Sequence, residues 1–109
     1  MSAMSPWGEV QHVTATDMRG ISFVSTASHG GLRISQGVAK KHFTPKILSA
    51  SMFYGGYYFF EEDCAWMVPA FFSEVIYNAI TKFVKSTREE LGKSLEQSYP
   101  ELFNLVFMK

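Results

Sequence analysis

Apolar and polar positions follow three regimes along the chain: alternation, then short apolar clusters, then recurrence at helical spacing. In residues 9–16, Val10, His12, Thr14 and Thr16 alternate with Gln11, Val13 and Ala15, a period-2 pattern rich enough in β-branched residues to predict a strand. Asp17-Met18-Arg19-Gly20 supplies turn chemistry, and residues 21–26 resume the alternation, with Ile21, Phe23 and Ser25 on one face. The two segments predict an antiparallel hairpin. Leu32-Arg33-Ile34 predicts a short third strand.

Ser35 is placed to cap a helix over 36–42, and Thr44-Pro45 to open a second over 46–53, with proline at the first helical position. Tyr54-Gly55-Gly56-Tyr57 breaks that segment, and the aromatic run 57–60 reads as a buried strand. Glu61 then opens a helix, since acids complement the positive end of the helix dipole, and Pro69 kinks or stops it. Beyond it Phe71, Phe72, Val75, Ile76, Ala79, Ile80, Phe83 and Val84 recur as pairs every four residues, one broad apolar face of a long helix. Leu91 and Leu95 extend the stripe, although Ser86 with Glu89 offers a fresh cap and Gly92 weakens continuity. Ser98 and Pro100 begin a last helix over 101–107.

The pattern predicts an α+β fold: an antiparallel sheet of three to four strands, built on the N-terminal hairpin, packed against a long amphipathic C-terminal helix and shorter helices. At 109 residues the chain fits one domain, 1–109. Apolar residues at 47% against 18% charged exclude intrinsic disorder, and aromatics at 16% exceed what so small a core requires, which leaves some for a partner surface.

The formal net charge is zero, so direct nucleic-acid binding is not expected. The charge is unevenly spread, +3 over residues 1–60 and −3 over 61–109. Cys64 is the only cysteine, which excludes an internal disulfide and suits a reducing cytosol. No apolar run reaches membrane-spanning length. No cofactor is implied.

Three stretches carry candidate chemistry, each with a structural alternative. Glu61-Glu62-Asp63 has ligands for a hard cation, to which His29 could add a nitrogen, but on a helix the three acids diverge by about 100° each and cannot share one metal. The alternative is acids stabilising a helix start, and no metal site is assigned. Ser28-His29-Gly30-Gly31 has the make-up of an anion-binding nest with His29 as acid or base, or of a loop with structural glycines. Cys64 with His29 has the elements of a nucleophile and base, but beside three acids a thiolate is disfavoured, and a buried small apolar residue is the plainer reading.

Trp7-Gly8, the run from Ile21 through Thr26-Ala27-Ser28-His29-Gly30-Gly31, Glu61-Glu62-Asp63-Cys64 before Trp66, and Tyr99-Pro100-Glu101 together resemble a family of small uncharacterised proteins carried by phages, prophages and plasmids. The segment 40–53 and Phe59-Phe60 depart from that pattern. The resemblance implies a mobile-element setting, and with it a non-enzymatic inhibitor of a host defence complex, such as an anti-CRISPR binding a CRISPR effector in the host cytoplasm. Glu61, Glu62, Asp63, Glu89 and Glu90 are then the partner-binding acids, meeting a basic groove. A small enzyme, or a ligand- or metal-binding protein, using His29 with the Glu61-Glu62-Asp63 run is the alternative, and it requires His29 to reach those acids in a concave pocket. A homodimer pairing exposed phenylalanines is a third reading.

Overall fold

The computed structural model describes residues 3–104. Chain order begins with a miniature hairpin, β1 (Met4–Ser5) and β2 (Gly8–Glu9), then β3 (His12–Ala15), β4 (Ile21–Ser25) and β5 (Gly30–Ser35). Two helices follow, α1 (Gln36–His42) and α2 (Pro45–Leu48), then β6 (Met52–Tyr54) and β7 (Tyr57–Glu61). The C-terminal part is helical: α3 (Met67–Phe72), α4 (Glu74–Ile80), α5 (Arg88–Ser98) and α6 (Pro100–Asn104). The fold is α+β, as expected. No helix among the described residues is long and apolar enough to cross a membrane.

The sheet is larger than the three to four strands expected. Five antiparallel strands lie in the order β3-β4-β5-β7-β6. The extra strand comes from a segment expected to be helical over 46–53. Thr44 does cap α2, its hydroxyl accepting from the Ile47 N–H. The helix ends after one turn, however, and Met52-Phe53-Tyr54 joins the sheet instead. Gly55 and Gly56, with φ of 58° and 89°, form the two-residue loop between β6 and β7. Two successive positive φ values match the right-handed twist of a hairpin, and glycine adopts them without strain. The strand expected over 9–16 is likewise split, between β2 and β3.

The long C-terminal helix does not form. Ser73 takes an extended conformation (φ −133°, ψ 115°) between α3 and α4, and its hydroxyl accepts from the Ile76 N–H. A polar residue able to cap broke a stripe that apolar spacing alone joined. Pro69 sits in the first turn of α3, where its missing N–H has no helical partner to lose. After α4 a 3-10 turn over Thr81–Phe83 redirects the chain. Val75 and Phe83, assigned to the buried stripe, are therefore about half exposed, at 51% and 42%. The cap of α5 is Thr87 with Glu90, one residue beyond the Ser86 and Glu89 expected. The final helix runs Pro100–Asn104, and the rest of the stretch expected to 107 lies outside the described residues.

One sheet face carries Ile21, Leu32, Ile34 and Phe60 into the core, against Val68, Ile76, Ile80, Leu91 and Leu95 of the helices. The pairing register puts Val24, Gly31 and Phe59 on the opposite face. There Val24 and Phe59 are buried too, at 3% and 1% exposure, and Trp7 meets Phe59 edge-on with ring centroids 5.6 Å apart. The sheet is thus covered on both sides at its centre, by helices on one and by Trp7 on the other.

Candidate functional site

The two motifs singled out in the sequence meet. Gly30 and Gly31 are the first residues of β5, and Gly31 pairs with Glu61, the last residue of β7. One residue further, the Glu62 N–H donates to the Gly30 carbonyl at 2.9 Å. Glu61 continues the strand rather than opening a helix, and α3 starts only at Met67.

Ser28-His29 does not form an anion nest. Its N–H groups are already used locally: those of Ser28 and His29 both donate to Thr26 Oγ1, at 3.4 and 3.1 Å, and the Thr26 hydroxyl and N–H both donate to the His29 carbonyl. Gly30 and Gly31 are absent from the positive-φ glycines, so backbone freedom is not why they are glycine. The reason is space. At Gly31 a Cβ would lie 2.8 Å from Trp7 Cη2 and overlap the Phe60 carbonyl oxygen, which cannot move, whereas at Gly30 it would meet the mobile end of the exposed Glu62 side chain at 2.8 Å and the Val24 carbonyl at 3.1 Å, a milder constraint.

Strand geometry sends neighbouring acids to opposite sides of the sheet. Glu61 lines a cavity of about 220 Å³ with Met52, Phe59, Asp63, Cys64 and Tyr99. Burial, then the Cys64 and Glu61 side chains, push the Tyr99 phenol above its ordinary value. Glu62 lines a different, open cavity of about 250 Å³, shared with Phe23, Trp66, Phe83, Lys85 and Ser86. The segment 61–63 is therefore two half-sites back to back. Among the described residues no group of three or more His, Cys, Asp and Glu side chains is arranged to hold a metal.

His29 is exposed and joins neither cavity; its ring neighbour is Trp7, with centroids 6.5 Å apart. The condition set for a His29 and carboxylate centre is not met among the described residues, although the backbones of the two motifs are hydrogen-bonded. Cys64 is half-buried against the core rather than aligned with His29.

Glu89 and Glu90 stand in the first turn of α5. Glu90 is engaged in its own helix: its carboxylate accepts from the Thr87 N–H at 2.8 Å while its N–H donates to the Thr87 hydroxyl at 3.1 Å. Those bonds hold the Glu90 carboxyl below the usual range. Sequence reading missed Trp66, Phe83, Lys85 and Tyr99 as wall residues. The signal for separating Glu61 from Glu62 was present, since extending the period-2 pattern of Tyr57 to Phe60 by two residues puts them on opposite faces.

No curated protein and no solved structure matches this chain. One family model, described as a domain of unknown function (DUF7007), matches residues 1–109, and the chain belongs to that family.

Proposed function

We propose that this chain acts by binding a protein partner, as a mobile-element inhibitor of a host defence complex of the anti-CRISPR kind, working in the host cytoplasm. The observation that supports the reading is the hairpin of β6 and β7. It stands at the free edge of the five-stranded sheet and leaves Met52, Phe53, Tyr54 and Tyr57 exposed within six positions, at 41%, 52%, 45% and 36%. Exposed aromatics in such density are typical of interfaces, and an unpaired edge strand offers main-chain donors and acceptors for strand addition. Glu61 and the exposed Asp63 lie at the foot of the same hairpin, where they would face a basic partner surface. Glu62 and Glu89 add negative charge elsewhere, while Glu90 is committed to its cap.

Capture from a bacterial lysate with tagged protein, followed by mass spectrometry, tests the reading. A defence nuclease or one of its subunits retained in stoichiometric yield, and lost with the double change Met52→Lys and Tyr54→Lys, is the expected result. Charge reversal at Glu61 and Asp63 should weaken capture and change its salt dependence. Recovery of the bare chain, or capture indifferent to all four changes, overturns the proposal. A sedimenting mass that doubles in the parent chain and halves in the hairpin variant would place a second copy on this edge instead.

A further inference from the structure

The cavity on the Glu62 side is built on different elements from the edge hairpin. Its back wall is the core face of the sheet, where Phe23 meets Phe83 edge-on with centroids 5.4 Å apart. Its rim is the segment between the 3-10 turn and α5, which is fastened at Ser86, while the turn before it is tied at Thr81 and Lys82. The Tyr77 hydroxyl donates to the Ser86 carbonyl at 2.6 Å, the Thr81 hydroxyl to the Tyr77 carbonyl at 2.9 Å, and the exposed Lys82 ammonium pairs with Asp17 at 2.8 Å. The Tyr77 bond to Ser86 thus anchors the rim, and the other two anchor the 3-10 turn whose Phe83 packs on Phe23.

Two opposite charges line this cavity without neutralising each other. The Glu62 carboxylate has no hydrogen-bond or ion-pair partner among the described residues, and neither has the Lys85 ammonium. Three aromatic rings, Phe23, Trp66 and Phe83, line the same cavity. A carboxylate, an ammonium and an apolar wall in one small cavity complement a molecule with the reverse set: an ammonium, a carboxylate and an apolar side chain. At about 250 Å³ the space falls below the roughly 300 to 1,000 Å³ of drug-sized pockets.

We propose that this cavity binds a free apolar α-amino acid. The ammonium of the ligand sits against Glu62, its carboxylate against Lys85 and Ser86, and its side chain among Phe23, Trp66 and Phe83. Aromatic faces also favour the cationic end, so the ammonium gains from rings and carboxylate together. Glycine at position 30 belongs to the same device: Glu62 Oε2 folds back over it, and a Cβ there would displace the carboxylate.

The two tryptophans supply the assay. Trp66 lines the cavity, whereas Trp7 lies against Gly31 and Phe59 on the other sheet face. In a nitrogen-15 NMR titration with L-phenylalanine and L-leucine, the Trp66 indole signal should move saturably while that of Trp7 stays still. Glu62→Gln should weaken binding roughly tenfold or more, and Lys85→Met should do the same for the amino acid but not for phenethylamine, which lacks the carboxylate. N-acetyl-phenylalanine should bind no better to the parent than to Glu62→Gln. A Trp66 signal unmoved at about a hundred times the concentration of the protein, or amino-acid binding indifferent to Glu62→Gln in a variant with parental NMR dispersion, overturns the proposal. Tighter binding of butylammonium or methylguanidinium than of either amino acid overturns it too, and assigns the cavity to a cationic side chain of a partner protein.

Discussion

The indole of Trp7 packs directly on Gly31, so closely that a methyl group at position 31 would meet Trp7 Cη2 at 2.8 Å and the Phe60 carbonyl oxygen as well. Trp7 reaches this spot because Ser5 organises the turn that presents it: the Ser5 hydroxyl donates to the Gly8 carbonyl at 2.9 Å and accepts from the Trp7 N–H at 3.1 Å. Gly31→Ala should therefore cost roughly 3 kcal/mol, the upper end of what overpacking does, read as a lower urea midpoint. Removing the indole should not restore it. Phe60 contributes a backbone atom that cannot step aside, so Gly31→Ala should remain destabilising in a Trp7→Ala background. Full rescue there would show that the indole alone sets the constraint.

Gly92 repeats the principle inside a helix. It lies mid-way along α5, where glycine is normally about 1 kcal/mol worse than alanine, yet an added Cβ would come 2.7 Å from Phe71 Cε1 of α3. The two helices approach closely at this point, and the Arg88 guanidinium reinforces the contact by stacking over the Phe71 ring at 5.9 Å and donating to the Phe71 carbonyl. Gly92→Ala should destabilise the parent protein. In a Phe71→Ala background the same change should be neutral or stabilise by up to about 1 kcal/mol, because propensity then acts without the clash. Denaturant unfolding of the four proteins of this cycle decides it.

These two glycines also mark where sequence reading stops. Strands with clear alternation and caps with the right chemistry were legible: the β3 and β4 pair, Ser35 before α1 and Thr44-Pro45 before α2 all stand as their residues imply. What failed was choosing between competing local signals. The apolar pairs from Phe71 to Val84 favour continuity, and a single hydroxyl at Ser73 outweighed them by capping. Acids at 61–63 favour a helix start, but pairing of Glu61 with Gly31 holds that residue in the sheet. For Gly31 and Gly92 no local signal exists, since the neighbours that demand glycine lie 24 residues before and 29 after the first and 21 before the second. The same holds for the Glu62 cavity, whose walls come from β4, the β7 to α3 turn and the rim before α5.

The reciprocal bonds between Thr87 and Glu90 predict a specific acid limb. The folded state lowers the Glu90 pKa from its ordinary 4.5, chiefly through the Thr87 backbone and hydroxyl, with Lys93 adding to it. The unfolded chain therefore binds this proton first, and stability rises with pH across that interval. The contribution is complete above the ordinary value and is lost as pH falls through the depressed one. Glu90→Gln should flatten the acid side of the stability profile. Thr87→Ala should do the same and in addition lower stability at neutral pH by about 1 kcal/mol, the usual effect of removing a cap. Unfolding midpoints between about pH 2 and 7 measure both.

Tyr99 predicts the opposite limb. Its phenol is pushed above the ordinary 10.0 first by burial, then by the charges of Cys64 and Glu61 across the cavity they share. A raised pKa means that the folded state holds the proton more tightly than the unfolded one. Its contribution is full below pH 10.0 and is lost as pH rises through the elevated folded value. Tyr99→Phe should remove that alkaline loss while leaving neutral stability close to parental, since the phenol is only half-buried. Because burial is the larger cause, Glu61→Gln and Cys64→Ala should each lower the Tyr99 pKa only in part, as followed by tyrosinate absorbance. A return to the ordinary value with either change would make charge, rather than burial, the main influence on this ring.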